Sequence, residues 1–271
     1  MNNTEKRRAF NKELTAQRRR LSKIRQNAID GLTDNLAAAL IQIRAVLGSN
    51  PSDFQSFLLP QLEAQIQSIM QSVSAKSSTL VEQSILDAWE TGIEIIDGPL
   101  RQAGIGVSVM LPALDTRQLL NIQRFGSSKI KSISAELGAK INTQLGLAMM
   151  GAQPVSDALT VITSMVEDGD RERALRIVRT EMGRAYSSAS QQRLALAGKY
   201  LPGLQKQWRK SGKLHARPSH VAADNQIRDI DEPFAVGGYL MMHPHDPTAP
   251  AAEVINCGCT ALPYMASWDV V

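Results

Sequence analysis

From Thr4 to Leu47 the apolar positions recur every three or four residues: Leu21, Ile24, Ala28, Leu32, Leu36, Leu40, Ile43 and Leu47. That spacing places them on one face of a long helix. The stretch has no proline and one interior glycine, Gly31, and runs into Gly48-Ser49-Asn50-Pro51. Glycine suits a helix C-terminus and proline cannot continue one, so the helix is expected to stop there. A second helix is predicted around Leu62, Ile66, Ile69 and Val73. A third is predicted to start near Thr79, where Thr79 and Glu82 have capping-box spacing, and to run through Ile85, Trp89 and Ile93 toward Gly98-Pro99. Residues 104–109 read as a loop or short strand, and Asp115 with Gln118 marks another helix start. Further helices are expected at about 127–150, 155–167 and 170–198, with Pro154 at a starting position and Gly169-Asp170 separating the last two.

After Tyr200 the texture changes. Seven of the 12 prolines lie at Pro202 or later, and all four histidines and both cysteines fall between His215 and Cys259. Apolar runs become short: Leu240-Met241-Met242 and Ala252-Glu253-Val254-Ile255 read as brief strands, with Gly237-Gly238 and Pro244-His245-Asp246-Pro247 as turns. The predicted fold is mainly α: long N-terminal helices, then a small α+β C-terminal module rich in irregular loops. The expected division is a helical region over 1–125 and a second region over 126–271, turn-rich from about 200.

Composition agrees with a helical reading. Hydrophobic residues make up 43% of the 271 positions and aromatics only 4%, so the core is built from Leu, Ile, Val, Ala and Met. Two cysteines are too few for a disulfide scaffold, which points to synthesis in a reducing cytoplasm. The N-terminus has no apolar stretch after its charges, and no apolar run is long enough to span a bilayer.

Net charge is +4, and the first 26 residues concentrate basic groups. Arg18, Arg19, Arg20 and Lys23 are candidate DNA contacts, because clustered cations neutralise phosphates and release counterions. A solvated helix end, or docking on an acidic protein surface, is the alternative. No aromatic residues are interleaved for base stacking; Phe10 stands alone. Further on, Arg179, Thr180 and Glu181 lie beside Arg184 late in a predicted helix. Spacing favours a helix-surface charge ladder; a partly buried pair that braces the following module is the alternative.

The C-terminal cluster contains Trp208, Arg217, His220, Phe234, Asp246, Asn256, Cys257 and Cys259. A metal reading takes Cys257 and Cys259 as thiolates, with His215, His220, His243 or His245 supplying nitrogen. His220, Cys257 and Cys259 are the set it puts forward, as a structural zinc site. Only Gly258 intervenes between the cysteines, whereas structural zinc sites more often have two residues there. The alternative is two reduced cysteines and incidental histidines, with no cofactor. Enzyme signatures are mostly missing. There is no Pro-Cys-x-x-Cys deaminase motif, no His-Glu-x-x-His, and no phosphate loop beyond a superficial likeness in Lys210-Ser211-Gly212-Lys213. A Cys257–His220 nucleophile pair is conceivable, but the neighbouring Cys259 makes a structural role more natural.

In order, Ile177-Val178-Arg179-Thr180-Glu181, Lys206-Gln207-Trp208, Arg217-Pro218-Ser219-His220, Phe234, Pro244-His245-Asp246-Pro247 and Glu253-Val254-Ile255-Asn256-Cys257-Gly258-Cys259-Thr260 resemble the phage Mu F-like head morphogenesis family of minor capsid proteins. The similarity runs over about 140–263, and the closing Val-Ile-Asn-Cys-x-Cys is its most specific part. The chain departs from the family's pattern at Gly258, where Arg is frequent, and at Tyr186 and His245. The resemblance implies a virion component made in the host cytoplasm, present in few copies and associated with the portal vertex and the packaged DNA. It implies a role in head assembly, packaging or DNA delivery without catalysis, with portal and other head proteins as partners and no membrane span. Arg179, Thr180, Glu181, Trp208, Arg217, His220, Phe234, Asp246, Asn256, Cys257 and Cys259 then brace the module and carry the family signature. Some relatives carry a toxin domain after this module; ending at Val271, this chain is expected to lack one. The N-terminal helices are expected to dock on a portal ring. The alternative function is a metal-dependent hydrolase or nucleotide-modifying enzyme built on the same His/Cys cluster.

Overall fold

The computed structural model describes residues 1–48, 59–106 and 111–266. Among the described residues 70% are helical, with a small strand-containing module toward the C-terminal end, as the hydrophobic pattern predicts. Helix α1 spans Asn3–Gly48, α2 Leu59–Gln102, α3 Arg117–Met149, α4 Val155–Ser164 and α5 Asp170–Gly198. The predicted stop at Ser49-Asn50-Pro51, and Val107 to Val109 of the predicted loop or strand, lie outside the described residues.

Two helix boundaries expected from the sequence are absent. Residues 59–102 form one helix, and Thr79 lies exposed in its interior. A capping-box pair acts only where the preceding backbone has left the helix, and nothing between Val73 and Thr79 breaks it. Ser77 and Ser78 are buried, and the Ser77 hydroxyl accepts from Asn35 Nδ2 at 3.3 Å. Pro99 falls in the last turn, which closes at Gln102. Likewise Gly169-Asp170 does not separate two helices: a π-helical turn, Met165–Gly169, joins α4 to α5. One helical glycine costs only about 1 kcal/mol. Here the buried Val166 and the Lys140–Asp170 ion pair, 3.0 Å, hold the segment. By contrast the start expected near Asp115 is present: Asp115 Oδ1 accepts the Arg117 N–H at 2.9 Å, and α3 then runs without a break through 127–149.

The chain divides into two compact units. One comprises 27–83 and 124–178. Its core is aliphatic: Leu36, Leu40, Ile43 and Leu47 of α1, Ile66, Met70 and Val73 of α2, Leu137, Ile141 and Leu145 of α3, with Ile162 and Val166. The apolar stripe read from α1 is therefore consumed by the chain's own core rather than left free for a partner.

The other unit comprises 1–26, 84–123 and 179–271. Within it α2 and α5 approach so closely at Gly92 that an added Cβ would lie 2.4 Å from the Tyr186 carbonyl oxygen. Beside this contact Arg193 clamps Asp97 through two bonds, Nε to Oδ1 at 2.7 Å and Nη2 to Oδ2 at 2.5 Å. Both residues are buried, and Arg193 Nη1 also donates to the Pro112 carbonyl at 2.8 Å.

The strands belong to this unit. β1 (Leu204–Arg209) lies between β2 (Ile227–Asp229) and β5 (Thr260–Met265), antiparallel to both, with Gln205 opposite Asp229 and Trp208 opposite Ala261. β3 (Phe234–Val236) and β4 (Tyr239–Met241) form a hairpin. Gly237 and Gly238 make its turn with φ of 58° and 83°, a conformation open to glycine without strain. Two short helices complete the module, α6 (Pro218–Ala222) and α7 (Ala251–Val254). The strand expected over Ala252–Ile255 is this α7 turn: Pro250 precedes it, and Glu253 lies in its first turn.

Candidate His/Cys cluster and family module

Three short elements aim side chains at one buried point. Pro218 opens α6, and its fixed φ suits the first helical position, so the turn points His220 inward. After α7 the chain turns at Asn256, whose φ is 54°, a left-handed conformation that asparagine tolerates. This turn directs Cys257 inward, and two residues later Cys259, the residue before β5, is buried in the same cluster. Both cysteines are free thiols and buried. Around them pack Trp208, Ala223, Phe234, Val236, Met241, Val254 and Ala261. Trp208 meets the rings of His220 and Phe234 edge-on, with centroids 5.8 and 5.3 Å apart.

His220 Nδ1 lies 3.3 Å from Cys259 Sγ and 3.6 Å from Cys257 Sγ. Its other nitrogen, Nε2, lies 2.7 Å from Glu253 Oε2, which also accepts from the Ser219 hydroxyl at 3.0 Å. The three donors, one from each of His220, Cys257 and Cys259, all lie within 4.8 Å of one another. The Cys259 N–H points to Cys257 Sγ at 3.4 Å. The Cys259 thiol and His220 hold the Cys257 thiol below its ordinary range, and Cys259 is pushed up because it keeps the shared proton. Burial disfavours a charged His220, but Cys257 and Glu253 outweigh it and raise its pKa.

A small cavity of about 180 Å³ reaches the cluster, lined among others by Lys213, His215, Arg217, His220, Asn256 and Cys257. Lys213 Nζ donates to the Asn256 carbonyl at 2.6 Å and its Oδ1 at 3.1 Å, and Arg217 Nη2 donates to the Ile255 carbonyl at 2.6 Å. Both cations thereby hold the turn that carries the cysteines. From α5, Thr180 Oγ1 accepts the Asn256 N–H at 2.9 Å. Glu181 is buried and paired with Arg184 at 2.8 Å, and burial raises its pKa despite that partner. This is not the solvated surface ladder that spacing favoured. Arg179 is half-buried on the same helix.

Of the other histidines, His215 is exposed. His243 and His245 are buried, and burial lowers both pKa values, His245 to about 4. An added Cβ at Gly183 would collide with the His245 ring at 2.2 Å, so this glycine makes room for it. Asp246 builds the following turn, accepting from Met242 N at 2.7 Å, Thr248 N at 2.9 Å and the Thr248 hydroxyl at 2.7 Å.

Sequence reading noted Glu253, Lys206, Lys213 and Arg25 but did not choose them as site residues. Glu253 was hidden by its assignment to a strand; the Pro-Ala-Ala-Glu run was the signal for a helical turn. Lys206 is fully buried, its Nζ donating to the Met242 carbonyl at 2.8 Å and standing 5.2 Å from the Phe234 ring centroid. Among the N-terminal cations, Arg18 and Arg19 line a cavity of about 570 Å³ together with Arg25, Lys210 and Lys213. Arg20 and Lys23 are exposed and do not line it.

A mainly helical chain that ends in a braced, turn-rich module with a buried His/Cys cluster is the class this structure defines. Residues 139–262, somewhat under half of the chain, match the family described as "Phage Mu protein F like protein", which supports the resemblance to the phage Mu F-like head morphogenesis family. The chain is also similar to the protein named "NAD(+)--arginine ADP-ribosyltransferase EFV" of Enterococcus faecalis (strain ATCC 700802 / V583). The two are 33% identical over 91 residues, 34% of this chain and 18% of that protein. The chain thus matches less than a fifth of that relative's length. No solved structure matches. Among the described residues, no helix is long and apolar enough to cross a membrane.

Proposed function

We propose that the chain is a minor head protein of a tailed phage, acting at the portal vertex in head assembly, DNA packaging or DNA delivery, and that it is not an enzyme. One observation carries this reading: the matched segment, 139–262, contains nearly all the residues that build the His/Cys module. Several of the module's polar groups are spent on its own backbone. Arg217, Lys213, Thr180 and Asp246 all bond main-chain groups of neighbouring turns, which is the work of a scaffold. The portal and other head proteins are the expected partners, and packaged double-stranded DNA is a further contact. The Arg18–Arg19–Lys210–Lys213 cavity supports the DNA arm, since it gathers cations from two distant segments. Docking falls to exposed surface, because the apolar stripe of α1 is used internally.

The test is genetic and biochemical together. A phage with a stop codon early in this gene should yield heads that are defective in assembly, packaging or delivery, and wild-type heads should contain the chain in few copies. Normal infectious heads from the mutant, with no chain in purified wild-type heads, would overturn the reading. The competing enzyme reading rests on the His/Cys cluster and on the name of the ADP-ribosyltransferase, of which this chain matches only a small part. Incubation with labelled NAD and arginine-containing proteins separates the two; no label transfer is expected.

A further inference from the structure

The two distances from His220 to the cysteine sulfurs fit ligands around a metal as well as they fit hydrogen bonds. A tetrahedral zinc with ordinary Zn–N and Zn–S bonds places a nitrogen and a sulfur about 3.5 Å apart. His220 Nδ1 stands 3.3 and 3.6 Å from the two sulfurs, on either side of that value. One N–H cannot point well at two sulfurs together, but one lone pair and two thiolates can all point at a cation between them. The far side of the ring fits the same arrangement. A ligating histidine commonly donates its second N–H to a carboxylate, which fixes the ring and raises its basicity. His220 Nε2 makes that bond to Glu253 at 2.7 Å.

We propose that His220, through Nδ1, and the thiolates of Cys257 and Cys259 bind a zinc ion, with Glu253 as the positioning residue behind the histidine. Binding forms two Zn–S bonds and one Zn–N bond and releases to solvent the two protons that the thiols and His220 Nδ1 share, while Nε2 keeps its proton toward Glu253. Two thiolates neutralise the divalent charge, so the buried site carries no net charge. A water from the cavity of about 180 Å³ that His220 and Cys257 line fills the fourth position, and the ion serves to tie the module together rather than to catalyse. The ion ties α6 to the turn before β5, two segments 37 and 39 residues apart in sequence.

The experiment uses the full chain, purified under reducing conditions and dialysed against buffer containing zinc and then against metal-free buffer. About one zinc per chain is expected by elemental analysis, falling at least tenfold in Cys257→Ser and Cys259→Ser and unchanged in Thr79→Ala. Glu253→Gln should lower zinc affinity by about 10–100-fold in a chelator competition. Because a cysteine variant can fail to fold, the wild-type chain is also loaded with cobalt(II), which should give thiolate-to-cobalt charge-transfer absorption that shifts when azide is added. No retained zinc, no charge-transfer band, or a Cys257–Cys259 disulfide in the freshly purified chain would each overturn the site. A cobalt spectrum indifferent to azide would overturn the water-filled fourth position.

Discussion

Lys206 and Asp97 show how much a single buried charge decides. Lys206 is fully buried, and burial lowers its pKa from 10.5 to about 8. Between those values the unfolded chain holds a proton that the folded chain has released, so stability rises with pH across that window. Denaturant unfolding at pH 7.5 and 9.5 should therefore show wild type gaining relative to Lys206→Met as pH rises; parallel behaviour would contradict the assignment. Asp97 is different, because its partner Arg193 is equally buried and grips both carboxylate oxygens. Removing one member of such a pair strands the other, at a cost of about 3–5 kcal/mol. Asp97→Ala should lose that much by equilibrium unfolding, while Asp97→Ala combined with Arg193→Met should recover part of it.

At the scale of elements, the question is where helices end. Helix α2 runs through Thr79, so that residue caps nothing. Thr79→Ala should change stability by no more than about 0.5 kcal/mol, as at an ordinary exposed position. Loss of a true N-cap would cost about 1 kcal/mol, so a loss of that size would argue for a break at this point. The strands show the opposite failure. β1 reads Leu-Gln-Lys-Gln-Trp-Arg, and its inward row is Leu204, Lys206 and Trp208. A lysine in that row masks the alternation; the Met242 carbonyl, the Gln191 side-chain oxygen, the Phe234 ring and the charges of Asp231, Asp246 and Glu232 make its burial tolerable. β5, nearly all buried, lacks alternation for a different reason: it is covered on both faces.

On the scale of the whole molecule, the two units interleave along the chain, and each of α1, α2 and α3 contributes residues to both. Removing residues 1–47 to test docking would delete Leu36, Leu40, Ile43 and Leu47 from a core, so it would report on folding instead. Exposed substitutions are the sound probes. Arg18 and Arg19 are exposed and line the basic cavity. If both contact phosphates, Arg18→Ala with Arg19→Ala should weaken duplex DNA binding without regard to sequence and reduce the log–log salt slope by about 2. Titration by fluorescence anisotropy at several salt concentrations measures this, and an unchanged slope would remove the pair from the interface.

Sequence alone determined the helical character of the first 198 residues, the change of texture after Tyr200, the Gly237-Gly238 turn and the family resemblance of the C-terminal module. Those features live in local periodicity, in turn chemistry and in the order of a few residues, all of which survive without coordinates. The tertiary structure decided what periodicity cannot carry. It selected His220 from four histidines, because only that ring is turned by Pro218 toward both thiols. It supplied Glu253 behind His220, paired Asp97 with Arg193 across 96 positions, and brought Arg18 and Arg19 to Lys210 and Lys213. Each of these depends on packing between segments far apart in the chain, where burial and distance, rather than spacing, set the chemistry.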